Sequence, residues 1–106
     1  MKDCIFCKIV KKDAKADVVK ETDDFIVFKD VNPQAAIHYL IVPKKHVKDL
    51  TELGDDLWKE LKTIAVYMSR DKGLSGFRLL HNAGDAATIP HMQMHFLADI
   101  DPERAV

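Results

Sequence analysis

His91-Met92-Gln93-Met94-His95-Phe96-Leu97 alternates polar with large apolar side chains. On an extended strand neighbouring side chains face opposite ways, so His91, Gln93 and His95 share one face while Met92, Met94 and Phe96 share the other. Burying three such apolar side chains is worth roughly 1.5–3 kcal/mol each relative to exposure. That fixes the register, and with it the facing of both imidazoles and the carboxamide. The residues predict a strand over about His91 to Ala98, with one face in the core and one face equipped for chemistry.

The flanking sequence alternates strand and helix signals. Val18–Glu21 and Phe25–Lys29 are β-branched or aromatic runs on either side of Thr22-Asp23-Asp24, and read as a hairpin. After Asn32-Pro33, which interrupts regular structure, His38–Pro43 reads as a third strand ended by its proline. From about Asp55 to Lys72, the apolar residues Leu57, Leu61, Ile64, Ala65 and Met68 recur at helical spacing and mark the main helix. Asp55 and Asp56 suit its start, Arg70 and Lys72 its end, and Gly73 is a plausible stop. Another strand is expected around Phe77 to His81. The expected fold is α+β, an antiparallel sheet of about five strands with one main helix packed on it.

The chain has 106 residues, enough for one hydrophobic core and too few for two, so residues 1–106 are expected to form a single domain. There are 16 Lys and Arg against 17 Asp and Glu, a formal net charge of -1. This excludes a polyelectrolyte that coats nucleic acid, so an anionic partner has to be held in a local pocket. The longest apolar runs fall far short of the roughly 20 residues of a membrane span, and Met1-Lys2-Asp3-Cys4 does not read as a secretory signal. Cys4 and Cys7 are the only cysteines. Two residues apart, they are poorly placed to staple a domain, and reduced thiols in a cytoplasmic protein, on a metal, are the better reading.

Three polar residues alternating with apolar ones on a strand resemble the signature of the histidine-triad family, in which all three are histidines. The resemblance extends through Cys4-Ile5-Phe6-Cys7-Lys8-Ile9, then Phe28-Lys29-Asp30-Val31-Asn32-Pro33-Gln34-Ala35, then His38-Tyr39-Leu40-Ile41-Val42-Pro43-Lys44-Lys45-His46. It implies a family-type fold that binds a purine nucleoside monophosphate or related nucleotide, commonly as a homodimer formed through the main helix and a neighbouring strand. Trp58 and Tyr67 are candidates for that contact; on pattern alone they are ordinary packing. In the family the middle histidine attacks the α-phosphorus of a nucleoside phosphoramidate or dinucleoside polyphosphate, and water then cleaves the nucleotidyl-imidazole. That residue is Gln93 here. A carboxamide has its nitrogen lone pair delocalised into the carbonyl, so it can hold a phosphate oxygen and cannot attack phosphorus. The expectation is a nucleotide binder with weak or lost hydrolysis. An active hydrolase or transferase using water or His95, and a non-enzymatic zinc-stabilised interaction module, stay open as alternatives.

The resemblance also implies the other site residues. His38 supports the triad by hydrogen bonding, Asp30 binds the ribose hydroxyls, Ile26 and Phe28 form the apolar wall against the base, and Asn82 belongs to the phosphate-side loop. Without it, Asp30 would read as a turn aspartate and Ile26 and Phe28 as strand core. The loop Gly84-Asp85-Ala86-Ala87-Thr88-Ile89-Pro90 departs from the family pattern: it reads two residues shorter, with alanines where a glycine and a glutamine belong. Thr88 keeps a hydroxyl, and Pro90 removes a backbone donor. Gln93 is either a natural divergence or an engineered replacement, and this second departure favours divergence. One zinc-binding branch of the family completes a two-cysteine knuckle with histidines at the positions of His46 and His91, which implies a Cys4, Cys7, His46, His91 zinc site. Its bland alternative is a pair of free thiols beside unrelated histidines.

Overall fold

The computed structural model describes residues 4–105, so the reading of Met1, Lys2 and Asp3 as no leader, and Val106 of the expected domain, lie outside the described residues. The elements run α1 (Ile5–Val10), β1 (Val18–Glu21), β2 (Phe25–Lys29), β3 (Ile37–Pro43), α2 (Asp55–Asp71), β4 (Arg78–Leu80) and β5 (Met94–Ala98), with 3-10 turns at Leu50–Glu52 and Gly84–Ala86. The strands form one antiparallel five-stranded sheet in the order β1-β2-β3-β5-β4. The last strand in sequence is thus inserted between β3 and β4. It is paired on both edges, which holds the residues it carries more firmly than an edge strand would.

Alternation then sorts the sheet residues between two cores. Phe25 and Val27 of β2, Tyr39 and Ile41 of β3, and Met94, Phe96 and Ala98 of β5 pack with Met92 against the buried stripe of α2, Leu61, Ile64, Ala65 and Met68. Ile26, Phe28, Leu40 and Val42 face the other way and are covered by Phe6 and Ile9 of α1. With six residues, α1 covers only part of that face. Its length explains why no periodic signal exposed it: a single turn and a half has no stripe to repeat.

The other elements lie within a residue or two of expectation. Thr22 closes the β1–β2 turn by accepting the Phe25 N–H at its hydroxyl (3.0 Å) and donating that hydroxyl to Glu60 of α2 (2.8 Å). α2 stops where Gly73 takes φ +63°, a left-handed conformation that suits glycine, and Leu74 N–H returns to the Ser69 carbonyl at 2.8 Å. No helix among the described residues is long and apolar enough to cross a membrane.

The triad strand is shorter than expected. Pairing with β3 ends at Ile41 opposite Met94, so β5 begins at Met94 and His91, Met92 and Gln93 precede it. Pro43, which the same register would set opposite Met92, has no N–H to donate, and the Met92 N–H goes instead to the Val47 carbonyl at 2.7 Å. The alternation survives without the ladder: Met92 is buried in the α2 core, while His91 is buried on the α1 side against Phe6. Burying an imidazole costs about 1–3 kcal/mol for each unsatisfied polar group, and His91 avoids this by using both ring nitrogens.

Candidate functional site

Because α1 stops short, the sheet face it shares retains an open cleft of about 850 Å³, within the roughly 300–1,000 Å³ typical of small-molecule sites. One end is apolar, walled by Ile5, Phe6, Ile9, Phe28 and Leu40; the other is polar, with Asp30, His38, Asn82, Thr88, Gln93 and His95. The fold brings together every residue that the sequence assigned to this cleft except Ile26. That side chain is wholly buried and backs Phe28 and Leu40 from within the core without lining the cleft. A smaller groove of about 590 Å³, between the segment before β4 and the segment after β5, collects no histidine or cysteine.

The polar end is organised by a directed chain of hydrogen bonds. The Gln34 backbone N–H donates to His38 Nδ1 at 2.9 Å. That nitrogen must therefore offer its lone pair, so the neutral ring carries its proton on Nε2. His38 Nε2 lies 2.8 Å from His95 Nδ1 and 3.3 Å from Asp30 Oδ2, so the proton points at both acceptors. His95 Nδ1 in turn accepts, which leaves the His95 proton on Nε2. Among the described residues that nitrogen has no hydrogen-bond partner, and it is not sealed from solvent. The site thus presents His95 to a ligand as a donor. Burial holds His38 and His95 below the ordinary histidine pKa; His38 reinforces this at His95, while the Asp30 charge opposes it at both. Asp30, His38 and His95 are close enough together to suggest a cation site. The tautomer argues against one, because a His38 Nε2 that bears a proton cannot be a ligand.

Asp30 serves both of its sequence readings. Oδ1 accepts the Asn32 N–H at 2.9 Å and forms the expected turn, while Oδ2 remains on the cleft side beside His38. Gln93 is half-buried, and among the described residues the only hydrogen-bond partner of its carboxamide nitrogen is the His91 carbonyl, at 3.4 Å. In the shortened loop, Ala86, Ala87, Thr88 and Ile89 line the cleft. Gly84 takes φ +59° and gives its N–H to Asp49 Oδ2 at 3.0 Å. Sequence reasoning missed Gln34 and Asp49. The first acts through its backbone, and Asp49, nearly fully buried, clamps the loop by accepting from Gly84 and Thr51. Neither role leaves a pattern in one sequence.

Beneath α1 a second cluster forms. Cys4 Sγ is 3.3 Å from His91 Nδ1, and Cys7 Sγ is 3.1 Å from His46 Nδ1 and 3.5 Å from His91 Nδ1. All four donor atoms lie within 4.8 Å of one another. A zinc tetrahedron with bonds of about 2.3 Å to sulfur and 2.0–2.1 Å to nitrogen has S···N edges of about 3.5 Å, so this donor set fits zinc. His91 Nε2 donates to the Pro43 carbonyl at 2.8 Å, which turns the Nδ1 lone pair toward the sulfurs. Burial lowers the His91 pKa and so favours the neutral ring that a ligand must be, while burial and the neighbouring Cys4 push the Cys7 thiol up against the opposing charge of Lys11.

The family model described as "Scavenger mRNA decapping enzyme C-term binding" matches residues 3–104. An adenosine 5'-monophosphoramidase, HINT3 of Danio rerio, is 34% identical over 104 residues, covering 92% of this chain and 65% of that protein. This chain therefore spans just under two thirds of that relative's length. A histidine triad protein from Clostridium difficile superposes with a TM-score of 0.91 at 32% identity, over 100% of this chain and 98% of that one. A Zn-bound histidine triad family protein from Mycobacterium smegmatis gives 0.85 at 25% identity, over 99% and 81%.

The lowered pKa of His38 and His95 has a definite sign. A histidine whose folded pKa lies below its unfolded value of about 6.5 leaves the unfolded chain holding more protons, so stability is full above that pH and declines as the pH falls through it. Histidine NMR titration is expected to place both midpoints below 6.5; a midpoint at or above that value for His95 contradicts the neutral hydrogen-bond chain.

Proposed function

This chain belongs to the histidine-triad family, and we propose that it binds a purine nucleoside monophosphate or a related nucleotide while its hydrolysis is weak or lost. The reading assigns the base to the apolar end of the cleft, the ribose hydroxyls to Asp30, and the phosphate to His95, Gln93, Asn82 and Thr88. The Danio rerio relative is a nucleotide phosphoramidase by name, which supports a nucleotide as the ligand class.

The observation that carries the second half is that each imidazole near the site already has its acceptor nitrogen engaged. His38 Nδ1 accepts from Gln34, His95 Nδ1 from His38, and the His91 Nδ1 lone pair is turned to the thiols. A covalent route needs a free nitrogen lone pair aimed at phosphorus, and Gln93 offers none. His95 is placed instead to donate a hydrogen bond to a phosphate oxygen. Calorimetry is expected to show AMP binding, and adenosine phosphoramidate turnover is expected to rise at least about a hundredfold in Gln93→His. Equal turnover in the two proteins, with a nucleotidyl adduct on His95, would establish the active-enzyme alternative. Failure of AMP to bind would leave the interaction-module reading.

We further propose that Cys4, Cys7, His46 and His91 hold zinc as a structural ion. Bound there, the ion would neutralise the thiolates and tie the start of α1 to the β3 end and to His91. A helix of six residues is unstable alone, and Phe6 and Ile9 on α1 wall the cleft. Elemental analysis is expected to find about one zinc per chain. Cys7→Ser is expected to lose the metal and weaken nucleotide binding together; protein isolated without chelators that contains no zinc removes the site.

A homodimer is the third element of the proposal. β4 is an edge strand of three residues with nothing paired to its outer side among the described residues, and Leu79 and Phe77 are exposed there. Such an edge invites pairing with a second copy. Trp58 and Tyr67 are both exposed on α2, and Tyr67 carries Lys20 of β1, from the opposite sheet edge, over its ring, so Trp58 is the candidate on the β4 side. Sedimentation should give twice the 12.0 kDa chain mass, falling to one chain in Leu79→Glu; a wild-type monomer at all concentrations contradicts the dimer.

A further inference from the structure

We infer that His81 is a positioning residue that aims Gln93 at the ligand; the inference rests on the nucleotide-phosphate reading of the cleft. Gln93 lies just before the ladder begins, so no rung of the sheet fixes its peptide group. β4 in turn ends at Leu80, opposite His95. Continued by one residue, that register would set His81 opposite Met94. The His81 side chain takes over at this gap: Nδ1 donates to the Gln93 carbonyl at 3.0 Å, and Nε2 accepts the Leu50 backbone N–H at 3.0 Å.

The two bonds fix each other's direction. A backbone N–H can only donate, so Nε2 must be the bare nitrogen and Nδ1 must carry the proton that the Gln93 carbonyl accepts. The imidazole thereby acts as a rung between the segment before α2 and the segment before β5. The same two regions are joined to the phosphate-side loop by Asp49, whose Oδ1 accepts the Thr51 N–H and whose Oδ2 accepts the Gly84 N–H. Asn82 follows His81 directly, and Gly84 lies two residues beyond it. The ring is not itself a wall of the cleft. Its effect on a ligand passes through the Gln93 backbone that carries the side chain; among the described residues the carboxamide itself is tethered only by the 3.4 Å contact to the His91 carbonyl.

A residue with this role affects phosphate recognition and leaves base recognition alone, so the readout is the ratio of AMP to adenosine affinity, measured by calorimetry on the full chain. His81→Phe keeps the ring volume and removes both hydrogen bonds, and is expected to lower that ratio about tenfold with adenosine affinity unchanged. His81→Asn, whose amide offers a donor near the place of Nδ1, is expected to restore part of it. In the Gln93→Ala background, His81→Phe should change the ratio no further, since the group it aims is gone. A ratio that survives His81→Phe overturns this inference alone, as does an equal effect of His81→Phe with and without Gln93. A wild-type protein that binds no nucleotide overturns the reading of the cleft and this inference with it. The tautomer is read without any ligand or variant from the ¹⁵N spectrum of the wild-type ring: a proton on Nδ1 is expected, and a proton on Nε2 overturns the assignment.

Discussion

The whole arrangement depends on one steric constraint: Met92, Met94 and Phe96 must all enter the core beneath α2, so the residues between them must face the other way. Each of the three is nearly fully buried, and a one-residue slip would turn all of them out of the α2 core while turning Gln93 and His95 into it. At roughly 1.5–3 kcal/mol per side chain, such a slip costs a sizeable part of the roughly 5–15 kcal/mol by which a domain is stable. Chemistry on the far face is therefore positioned by packing on the near face. Insertion between β3 and β4 adds the second half of the constraint, because each neighbouring strand supplies a histidine at its own end of the ladder, His38 from β3 and His81 just after β4.

From this follows a division of labour among the five histidines. His91 and His46 turn toward the cysteines, His38 and His95 form a directed pair, and His81 bridges backbone groups. At His38, His91 and His81 one nitrogen is committed by a backbone group that can only donate or only accept, and that commitment dictates the other. Gln34, Pro43 and Leu50 make these choices through backbone atoms. The outcome is a site rich in imidazole, in which burial holds His38 and His95 below the ordinary histidine pKa and His95 Nε2 is presented as a hydrogen-bond donor.

Much of this was legible in the sequence, for identifiable reasons. Strand alternation and the helical stripe from Leu57 to Met68 are periodic, and they foretold the hairpin, the third strand, the main helix and the facing of residues 91–95. The pairing of Cys4 and Cys7 with His46 and His91 came from resemblance alone, since no local pattern links residues 87 positions apart. What stayed hidden was non-periodic or carried by the backbone: the short α1, the end of the β5 ladder where Pro43 cannot donate, the withdrawal of Ile26 behind Phe28, and the clamps made by Asp49 and His81. Ile26 illustrates the limit well. Alternation correctly puts it on the same face as Phe28, yet α1 covers that face unevenly, and only Phe28 reaches the cleft.

The central claim is that a nucleotide is gripped here without becoming covalently attached. A crystal structure of the protein soaked with an adenosine phosphoramidate tests it most directly. The account predicts an intact ligand whose phosphoryl oxygens lie within hydrogen-bond distance of Gln93 Nε2 and His95 Nε2, with the ribose against Asp30. A phosphorus–nitrogen bond to His95, or a ligand whose phosphoryl group lies away from Gln93, would contradict it.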